Sequence, residues 1–303
     1  MKKLVVFGAL ALLGGCHAGT GTGSSSTNGP TVSNFMFSTV QAGQTVTLQG
    51  MSTVVTGTLF NGTVASTTPP ATDTAASTAT LTYDSTLTLT ALTAATPAGS
   101  ITFNKGLGDT FNCNAGVCGL TNGAGTASMI VIDPVTLPAG WNYQTFGVWE
   151  RAGSVVSFDA GVFSVGNPTP GSAVPTTGSG NFTGLANGFF IDATNNRFFT
   201  TANMTASANF ASQSIVFTTT NTQTVNISNP SGLGSLNPGL DLTGSFTYPA
   251  GTNLFTGTVA SANGMNGTGT GRFYGPAAQE IGGMYSLSGA GIGQMIGSFG
   301  GKQ

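Results

Sequence analysis

Polar and apolar residues alternate along much of this chain. Residues 240–248 read LDLTGSFTY, and residues 86–90 alternate threonine with leucine. Alternation with a period of two is typical of a strand that buries one face. No long stretch repeats its apolar residues every 3.6 positions, as an amphipathic helix would. The pattern predicts an all-β protein.

The predicted strands fall into two groups, separated by residues 166–178. That stretch contains three prolines and three glycines, so we interpret it as a linker between two subdomains. Residues 31–165 are predicted to form a handle-like β subdomain, with strands at 44–49, 78–83, 86–92, 128–132, 143–151 and 155–165.

Residues 179–303 are predicted to form an eight-stranded antiparallel up-and-down barrel that is water-soluble. Its strands are expected at 179–191, 204–210, 214–226, 240–248, 254–260, 267–274, 280–287 and 294–299. Short turns between the strands suit a closed barrel without open edges. A barrel that spans a membrane is the alternative, but the chain has only two Trp and five Tyr to form aromatic girdles.

The first thirty residues indicate export. Lys2 and Lys3 precede an apolar run that is too short to span a bilayer, and small residues lead to Cys16. The pattern resembles a bacterial lipobox, which implies a signal peptide at 1–15 and a lipid on Cys16; an ordinary secretory signal is the alternative. His17, in place of aspartate, favours the outer membrane of a Gram-negative cell. Residues 16–30 have the Gly/Ser/Thr composition of a flexible tether.

Composition limits the possible functions. Charged residues make up 5% of the chain and the formal net charge is −2. Without a basic patch the chain has no means of holding a nucleic acid backbone, so a nucleic acid partner is not expected. With so few charged residues, we expect the hydroxyl and amide groups of threonine, serine and asparagine to provide the solubility of the protein.

The inventory of reactive side chains argues against an enzyme. The only histidine is His17, in the tether, so the folded part cannot form a Ser-His-Asp or Cys-His arrangement. Nothing in the sequence places the two glutamates, Glu150 and Glu280, together as an acid and base pair. We therefore predict no catalytic site, no metal site and no cofactor.

Two cysteines remain after Cys16. Cys113 and Cys118 flank an Asn-Ala-Gly turn, which suits a disulfide-closed loop in an oxidising compartment. A metal site is the alternative, but one cysteine pair without a nearby histidine is half of a zinc site.

A motif near the end of the chain carries a family resemblance. Residues 271–284 read GRFYGPAAQEIGGM, and we expect a strand, a tight connection with a structural carboxylate at Glu280, and a second strand. The motif positions with this structural role are Gly271, Phe273, Tyr274, Gly275, Pro276, Glu280, Gly282 and Gly283. Together with residues 143–151, 181–184, 207–210, 254–257 and 296–302, the motif resembles the transferrin-binding protein B family of surface lipoproteins.

The resemblance implies a handle and barrel unit, anchored by lipid in the outer membrane and facing the exterior. It implies a protein ligand of host or environment, for nutrient or iron acquisition, and a TonB-dependent receptor or surface-lipoprotein translocator as a further partner. The chain has room for one unit, whereas some family members have two, and it has far fewer charges. The single unit puts transferrin itself in doubt as the ligand.

Two other functions stay open at this point. A coat lipoprotein without a specific ligand fits the low charge, and a carrier of haem or a small molecule could use methionine or tyrosine ligands. For a protein ligand, the loops expected to make contact are 67–73, 105–125, 133–141 and 229–238.

Overall fold

The computed structural model describes residues 35–138, 140–154, 156–227 and 234–303. The predicted signal peptide and tether, with Cys16 and His17, lie outside the described residues, as does part of the loop expected at 229–238. The prediction of an all-β fold is confirmed, since strands dominate and only four short 3-10 helices occur in the described ranges. These helices are Phe37–Thr39, Lys105–Leu107, Gly171–Ala173 and Pro238–Leu240. Across the same ranges we find no helix with the length and apolarity to cross a bilayer.

The handle is one antiparallel sheet. Its strands are β1 (Thr45–Phe60), β2 (Thr63–Thr67), β3 (Ala71–Tyr83), β4 (Leu89–Thr96), β5 (Gly99–Asn104), β6 (Thr110–Asn114), β7 (Val117–Thr121), β8 (Ala127–Ile132), β9 (Gln144–Ser154) and β10 (Ser157–Gly166). They lie in the order β5-β4-β3-β1-β10-β9-β8-β7-β6, with β2 beside β1. The sheet curls until β5 and β6 approach each other, so it is nearly closed.

The second sheet is a closed barrel. Its strands are β11 (Ser179–Asp192), β12 (Arg197–Asn209), β13 (Ser214–Asn226), β15 (Leu242–Thr247), β16 (Leu254–Ser261), β17 (Asn266–Tyr274), β18 (Glu280–Gly289) and β19 (Gly293–Lys302). The order is β12-β11-β19-β18-β17-β16-β15-β13, and β12 pairs with β13 to close the ring. The two-residue strand β14 (Ser235–Leu236) pairs with β13 at its side. The predicted eight-stranded antiparallel barrel is therefore confirmed.

The barrel is apolar inside and hydroxylated outside. Its interior is filled by buried phenylalanines, among them Phe217, Phe246, Phe273 and Phe299. Its free outer face exposes threonines such as Thr205, Thr256, Thr258 and Thr268. A barrel that faces lipid has the reverse arrangement, with an apolar outer band.

The handle and the barrel share a buried layer. In β9, β10, β11, β18 and β19, runs of consecutive residues are buried instead of alternating ones. One face of these strands packs in its own core, and the other face packs against the opposite sheet. Met51, Val162, Phe189, Met284 and Ile296 form one apolar cluster across this junction.

The same burial on both faces explains why the first strand of the handle is longer than predicted. The predicted strand 44–49 is the start of β1, which continues to Phe60. Residues 51–55 are buried on both faces at the junction, so the period-two signal disappears there.

The predicted strand 86–92 begins too early. Leu87 has φ +60, and the Asp84 carboxylate accepts hydrogen bonds from the N–H groups of Thr86 and Thr88. These residues therefore form a turn, and β4 begins at Leu89. The hydrogen bonds of the aspartate side chain stabilise a turn here, although the alternation of the following residues favours a strand.

The segment between the subdomains is held against the barrel. β10 ends at Gly166 and β11 begins at Ser179, so this segment contains no strand. Thr169 donates its hydroxyl to the Gly275 carbonyl at 2.6 Å, and the Asn253 amide donates to the Thr169 carbonyl at 2.6 Å. The linker is thus a fixed connection.

Candidate functional site

The carboxylate of the family motif joins the two sheets. Glu280, at the start of β18, accepts hydrogen bonds from the backbone N–H groups of Asn142 at 2.6 Å and Tyr143 at 3.1 Å. Burial raises the pKa of this carboxyl to about 7, although these N–H groups favour its ionised form. The structure thus gives Glu280 a structural contact, but its donors belong to the handle.

The two glycines after Glu280 allow this contact. A Cβ on Gly282 would collide with the Gln144 side-chain oxygen, and a Cβ on Gly283 would collide with the Thr270 carbonyl. Without those side chains, the Gln144 amide reaches the Ile281 carbonyl, to which it donates at 2.6 Å. The motif therefore requires glycine at 282 because a handle side chain lies too close for a Cβ, and at 283 because two barrel strands lie too close.

The rest of the motif lies at the same junction. Phe273 is buried in the barrel core, and the buried Tyr274 hydroxyl hydrogen-bonds the Ser164 hydroxyl at 3.1 Å. Gly275 has φ +85, and Pro276 is exposed in the turn that follows. A Cβ at position 271 would collide with the Gly282 carbonyl and the Phe255 ring. Tyr274 therefore belongs to the junction, whereas Gly271 and Phe273 belong to the packing of the barrel.

An ion pair that the sequence does not predict crosses the junction elsewhere. Glu150 on β9 pairs with Arg197 on β12, and both side chains are largely buried. The Arg197 guanidinium also lies 5.1 Å from the centre of the Phe158 ring. The two residues are 47 positions apart, so no local pattern links them.

The two tryptophans lie in different clusters. Trp149 belongs to the handle core. Trp141 packs instead with Ile132, Leu137 and Phe146 in a small cluster against the barrel. A Cβ on Gly300 of β19 would collide with Phe146 and Trp141, so a glycine of the barrel makes room for this cluster.

Every carboxylate of the chain has a structural partner. All nine acidic residues fall within the described ranges. Two of them pair with arginine, and seven accept hydrogen bonds from backbone N–H groups; these are Asp73, Asp84, Asp109, Asp133, Asp192, Asp241 and Glu280. In the described part of the chain, no three His, Cys, Asp or Glu side chains come together as a metal site would require.

Methionine has a similarly structural role. Six of the methionines in the described ranges are buried in hydrophobic clusters: Met51, Met129, Met204, Met265, Met284 and Met295. Met36 accepts a hydrogen bond from the Tyr143 hydroxyl. Buried methionine of this kind fills space between larger side chains.

A groove of about 470 Å³ lies on one side of the junction, and we call it the amide-rimmed groove. Ile130 and Val117 of the handle face Leu185 and Ala202 of the barrel across it. Leu236 on β14 forms its lip with 63% of its surface exposed. No charged residue lines the groove.

Three amide side chains form the rim of this groove. Asn203, Asn221 and Gln223 are exposed, and their amide groups have no hydrogen-bond partner among the described residues. The β12–β13 ladder is irregular here, and Asn221 has φ +57. A bulge of this type redirects side chains from the regular pleat, here toward the groove.

The Cys113–Cys118 pair closes a hairpin at the edge of the handle. The structure contains a disulfide between them, with a Cα–Cα distance of 4.0 Å. Ala115 and Gly116 form the turn with φ +48 and φ +79, which is the geometry that joins two strands in a tight hairpin. The hairpin β6–β7 occupies much of the loop expected at 105–125, so that loop prediction is wrong for residues 110–121.

The other loops expected to contact a ligand have mixed outcomes. Of residues 67–73, only 68–70 lie between strands, because β2 ends at Thr67 and β3 begins at Ala71. The described part of 133–141 contains no strand, but Asp133 is buried and accepts a hydrogen bond from the Tyr83 hydroxyl at 2.8 Å. Residues 234–238 include β14, the lip of the amide-rimmed groove.

Comparison with known proteins gives structural neighbours only. No protein-family model matches the chain, and no curated protein matches it. A transferrin-binding protein B mutant from Haemophilus parasuis Hp5 is similar, with TM-score 0.44, 14% identity, and coverage of 87% of this chain and 77% of that one. Transferrin-binding protein B from Neisseria meningitidis has TM-score 0.37, 12% identity, and coverage of 86% and 77%.

The N-lobe of lactoferrin-binding protein B from Moraxella bovis is also similar, with TM-score 0.39, 12% identity, and coverage of 83% of this chain and 98% of that one. The names of these proteins are those of the family that the sequence motifs resemble.

Proposed function

We propose that this protein is a lipid-anchored lipoprotein of the outer membrane that binds another protein, of host or environment, at the cell surface. Binding occurs at the amide-rimmed groove and its neighbouring loops. The protein is not an enzyme, and delivery of the ligand to a TonB-dependent receptor or a translocator is the step that follows capture.

The observation that carries the proposal is the contrast between the carboxylates and the groove. The carboxylates, which could serve as acids, bases or metal ligands, are all engaged in the fold. The groove combines an apolar floor with amides that have no hydrogen-bond partner among the residues that the structure describes. Such a surface suits recognition without chemical reaction.

The groove also indicates the chemistry of its partner. Aliphatic walls at Ile130, Leu185 and Ala202 favour apolar side chains, and the rim amides can donate to and accept from backbone groups. A charged group in the groove would lose its hydration without gaining an opposite charge. The partner segment is therefore aliphatic with uncharged polar flanks, and a complete interface would bury about 800 Å² on each side.

Site-specific photo-crosslinking tests the groove. A benzoylphenylalanine at Leu236, in the full chain on intact cells incubated with serum or growth medium, should yield a discrete crosslinked protein. The same group at Val216, which is 59% exposed on β13 and does not line the groove, is the matched control. Equal products at both positions would contradict the site.

Variants add a quantitative test. Leu236→Asn with Asn203→Arg should weaken capture of the crosslinked protein at least tenfold, because one change removes apolar area and the other fills the rim. Val216→Asn should leave capture unchanged. Binding should vary little between low and high salt, because no charged residue lines the groove. Absence of any captured protein from every medium would favour a coat protein without a ligand.

The anchor has a separate test. Radiolabelled palmitate should label the wild-type chain and should not label Cys16→Ser. Protease added to intact cells should cleave the wild type if the protein faces the exterior. Labelling of the variant, or full protection from protease, would overturn the proposed location while leaving the groove untouched.

A further inference from the structure

A second cleft lies on the other side of the junction between handle and barrel. It has a volume of about 480 Å³, and we call it the hydroxyl cleft. One wall is formed by Thr53, Thr72 and Thr74 of the handle, and the other by barrel strands β16, β17 and β18. The amide-rimmed groove lies beside β8 and β12, so the two depressions occupy opposite flanks of the junction.

Hydroxyl groups dominate the barrel wall of this cleft. Thr256 on β16 pairs with Thr270 on β17, and Thr268 pairs with Ser286 on β18. The regular pleat places all four on the outer face of the barrel, and each lines the cleft. The hydroxyls of Thr256, Thr268 and Ser286, and that of Thr74 opposite, have no hydrogen-bond partner among the described residues.

The spacing of the two walls is fixed by the fold. The Arg272 guanidinium of the barrel donates to the Thr74 carbonyl of the handle at 3.1 Å. The Thr53 hydroxyl hydrogen-bonds that of Thr72 at 3.0 Å and contacts the Met284 sulfur at 3.8 Å. The cleft is therefore formed before any ligand enters.

The chemistry of the cleft selects an uncharged, hydroxyl-rich ligand. A hydroxyl both donates and accepts, so a row of them matches the hydroxyls of a sugar. Leu254, which is partly exposed, supplies apolar surface for the C–H face of a sugar ring. None of the lining residues is charged, so an anionic or cationic ligand would lose hydration without compensation.

Threonine also favours strands, and that propensity alone would account for one row on the barrel. The same propensity accounts for threonine pairs on the handle, such as Thr47 with Thr80. It does not account for the placement of two threonine rows opposite each other across a preformed cleft. We propose that the hydroxyl cleft is a binding site for a neutral oligosaccharide segment. This site is separate from the protein-binding groove, and it would hold the protein to a neutral surface glycan.

Saturation-transfer NMR tests the proposal with the full chain in a non-glycosidic detergent. The probes are cellopentaose, maltopentaose and chitopentaose, with a pentagalacturonate as the charged comparison. We expect saturation transfer to at least one neutral pentasaccharide and none to the charged one. If no neutral probe gives a signal, or if the charged probe binds as well, the proposal is wrong.

Thr256→Val with Thr268→Val removes two hydroxyls and keeps the shape and the β-branching. This variant should lower affinity for the positive probe at least tenfold. Thr256→Ser with Thr268→Ser keeps the hydroxyls and should retain most of the affinity. Thr205→Val with Thr218→Val removes a hydrogen-bonded pair elsewhere on the barrel and should change nothing. Equal losses in the valine and serine variants, or in the control, would overturn the assignment.

Discussion

The handle and the barrel differ in how the backbone N–H and C=O groups at the edges of their sheets are paired. The barrel closes by pairing β12 with β13, so its strands satisfy one another. The handle leaves a gap between β5 and β6, and side chains bridge it. The Asp109 carboxylate accepts hydrogen bonds from the backbone N–H groups of Asn104 at 2.7 Å and Gly123 at 2.8 Å. The Arg151 guanidinium donates a hydrogen bond to the Ser100 carbonyl at 2.8 Å.

The difference explains where some of the charges of this chain lie. A sheet edge exposes unpaired N–H and C=O groups, and charged side chains can satisfy them or block further pairing. Among the described charged residues, Asp109 and Arg151 contact backbone groups at the handle gap, while Glu150, Arg197 and Glu280 lie at the junction. In the barrel interior, apolar packing takes their place.

The strongest test of this contrast is a cavity in the barrel. Phe217→Ala removes a ring that lies 4.7 Å from Phe299 and 5.9 Å from Phe246. We expect a loss of about 4 kcal/mol in the free energy of unfolding, measured with urea. Phe60→Ala, at a side chain that is 70% exposed, is the matched control and should cost little.

The same variant shows whether the sheets unfold together. Both tryptophans, Trp141 and Trp149, lie outside the barrel. If the junction couples the sheets, Phe217→Ala will shift the tryptophan fluorescence and circular dichroism transitions equally. A shift in circular dichroism alone would show that the barrel unfolds independently of the handle.

The next test concerns the junction. Gly282→Ala should destabilise the protein by about 3 kcal/mol, because the new methyl group displaces the buried Gln144 amide from its hydrogen bond. Gly119→Ala is the control, since the nearest atom to its Cβ would be 3.9 Å away. Thermal or urea unfolding distinguishes the two. Similar losses in the free energy of unfolding for both variants would mean that the Gln144 side chain leaves room for a methyl group at position 282.

The buried carboxyl at the junction predicts a pH dependence. The pKa of Glu280 rises from 4.5 to about 7, so between these values the folded state binds a proton that the unfolded chain releases. Stability should therefore fall as pH rises through this window, by up to about 3 kcal/mol, and stay lower above it. Burial also raises the pKa of Asp133, which acts in the same direction.

Glu280→Gln should remove most of this slope, leaving the part that Asp133 contributes. Urea titrations at several pH values between 4 and 8 measure the effect in both proteins. An unchanged slope in the variant, or a wild-type stability that rises with pH in this window, would contradict the assignment to Glu280.

A smaller effect is expected at the edge of the handle. Cys113→Ser with Cys118→Ser should lower the free energy of unfolding by about 2 kcal/mol, as the chain-entropy model gives for so short a loop. A reducing agent should lower the stability of the wild type by a similar amount and leave the variant unaffected. Sensitivity of the variant to the reductant would point to a different cause.

The smallest effect compares the two ion pairs. The Glu150–Arg197 pair is less exposed than Arg151–Asp159, whose side chains are 30% and 22% exposed. Double-mutant cycles with Glu150→Gln and Arg197→Met should give a coupling energy about 1 kcal/mol larger than cycles with Asp159→Asn and Arg151→Met. Equal coupling energies would remove the distinction between the buried pair and the more exposed pair.

Strand positions in the barrel were largely predictable, because its free half alternates between an apolar interior and a hydroxylated exterior. Residues 240–248 and 254–260 illustrate this, since β15 and β16 lie within or beside them. The prediction weakened wherever strands are buried on both faces, as in the second half of β1. It was wrong where a local side chain fixes a turn, as Asp84 does before Leu89.

The candidate sites were much less accessible from sequence. The motif around Glu280 indicated a structural carboxylate, but its partners, Asn142 and Tyr143, lie about 140 residues earlier. Both depressions at the junction combine residues from distant strands. Thr74 and Thr268 of the hydroxyl cleft, for example, are brought together only by the packing of two sheets.

The sequence by itself determined the all-β class, the closed barrel and the family resemblance, because these follow from local alternation, turn residues and a contiguous motif. Tertiary structure decided which faces of the two sheets pack together and which carboxylates form hydrogen bonds or ion pairs between them. It also decided where uncharged surfaces remain exposed. The physical reason is that burial and pairing are properties of two segments at once, whereas a sequence pattern describes only one segment at a time.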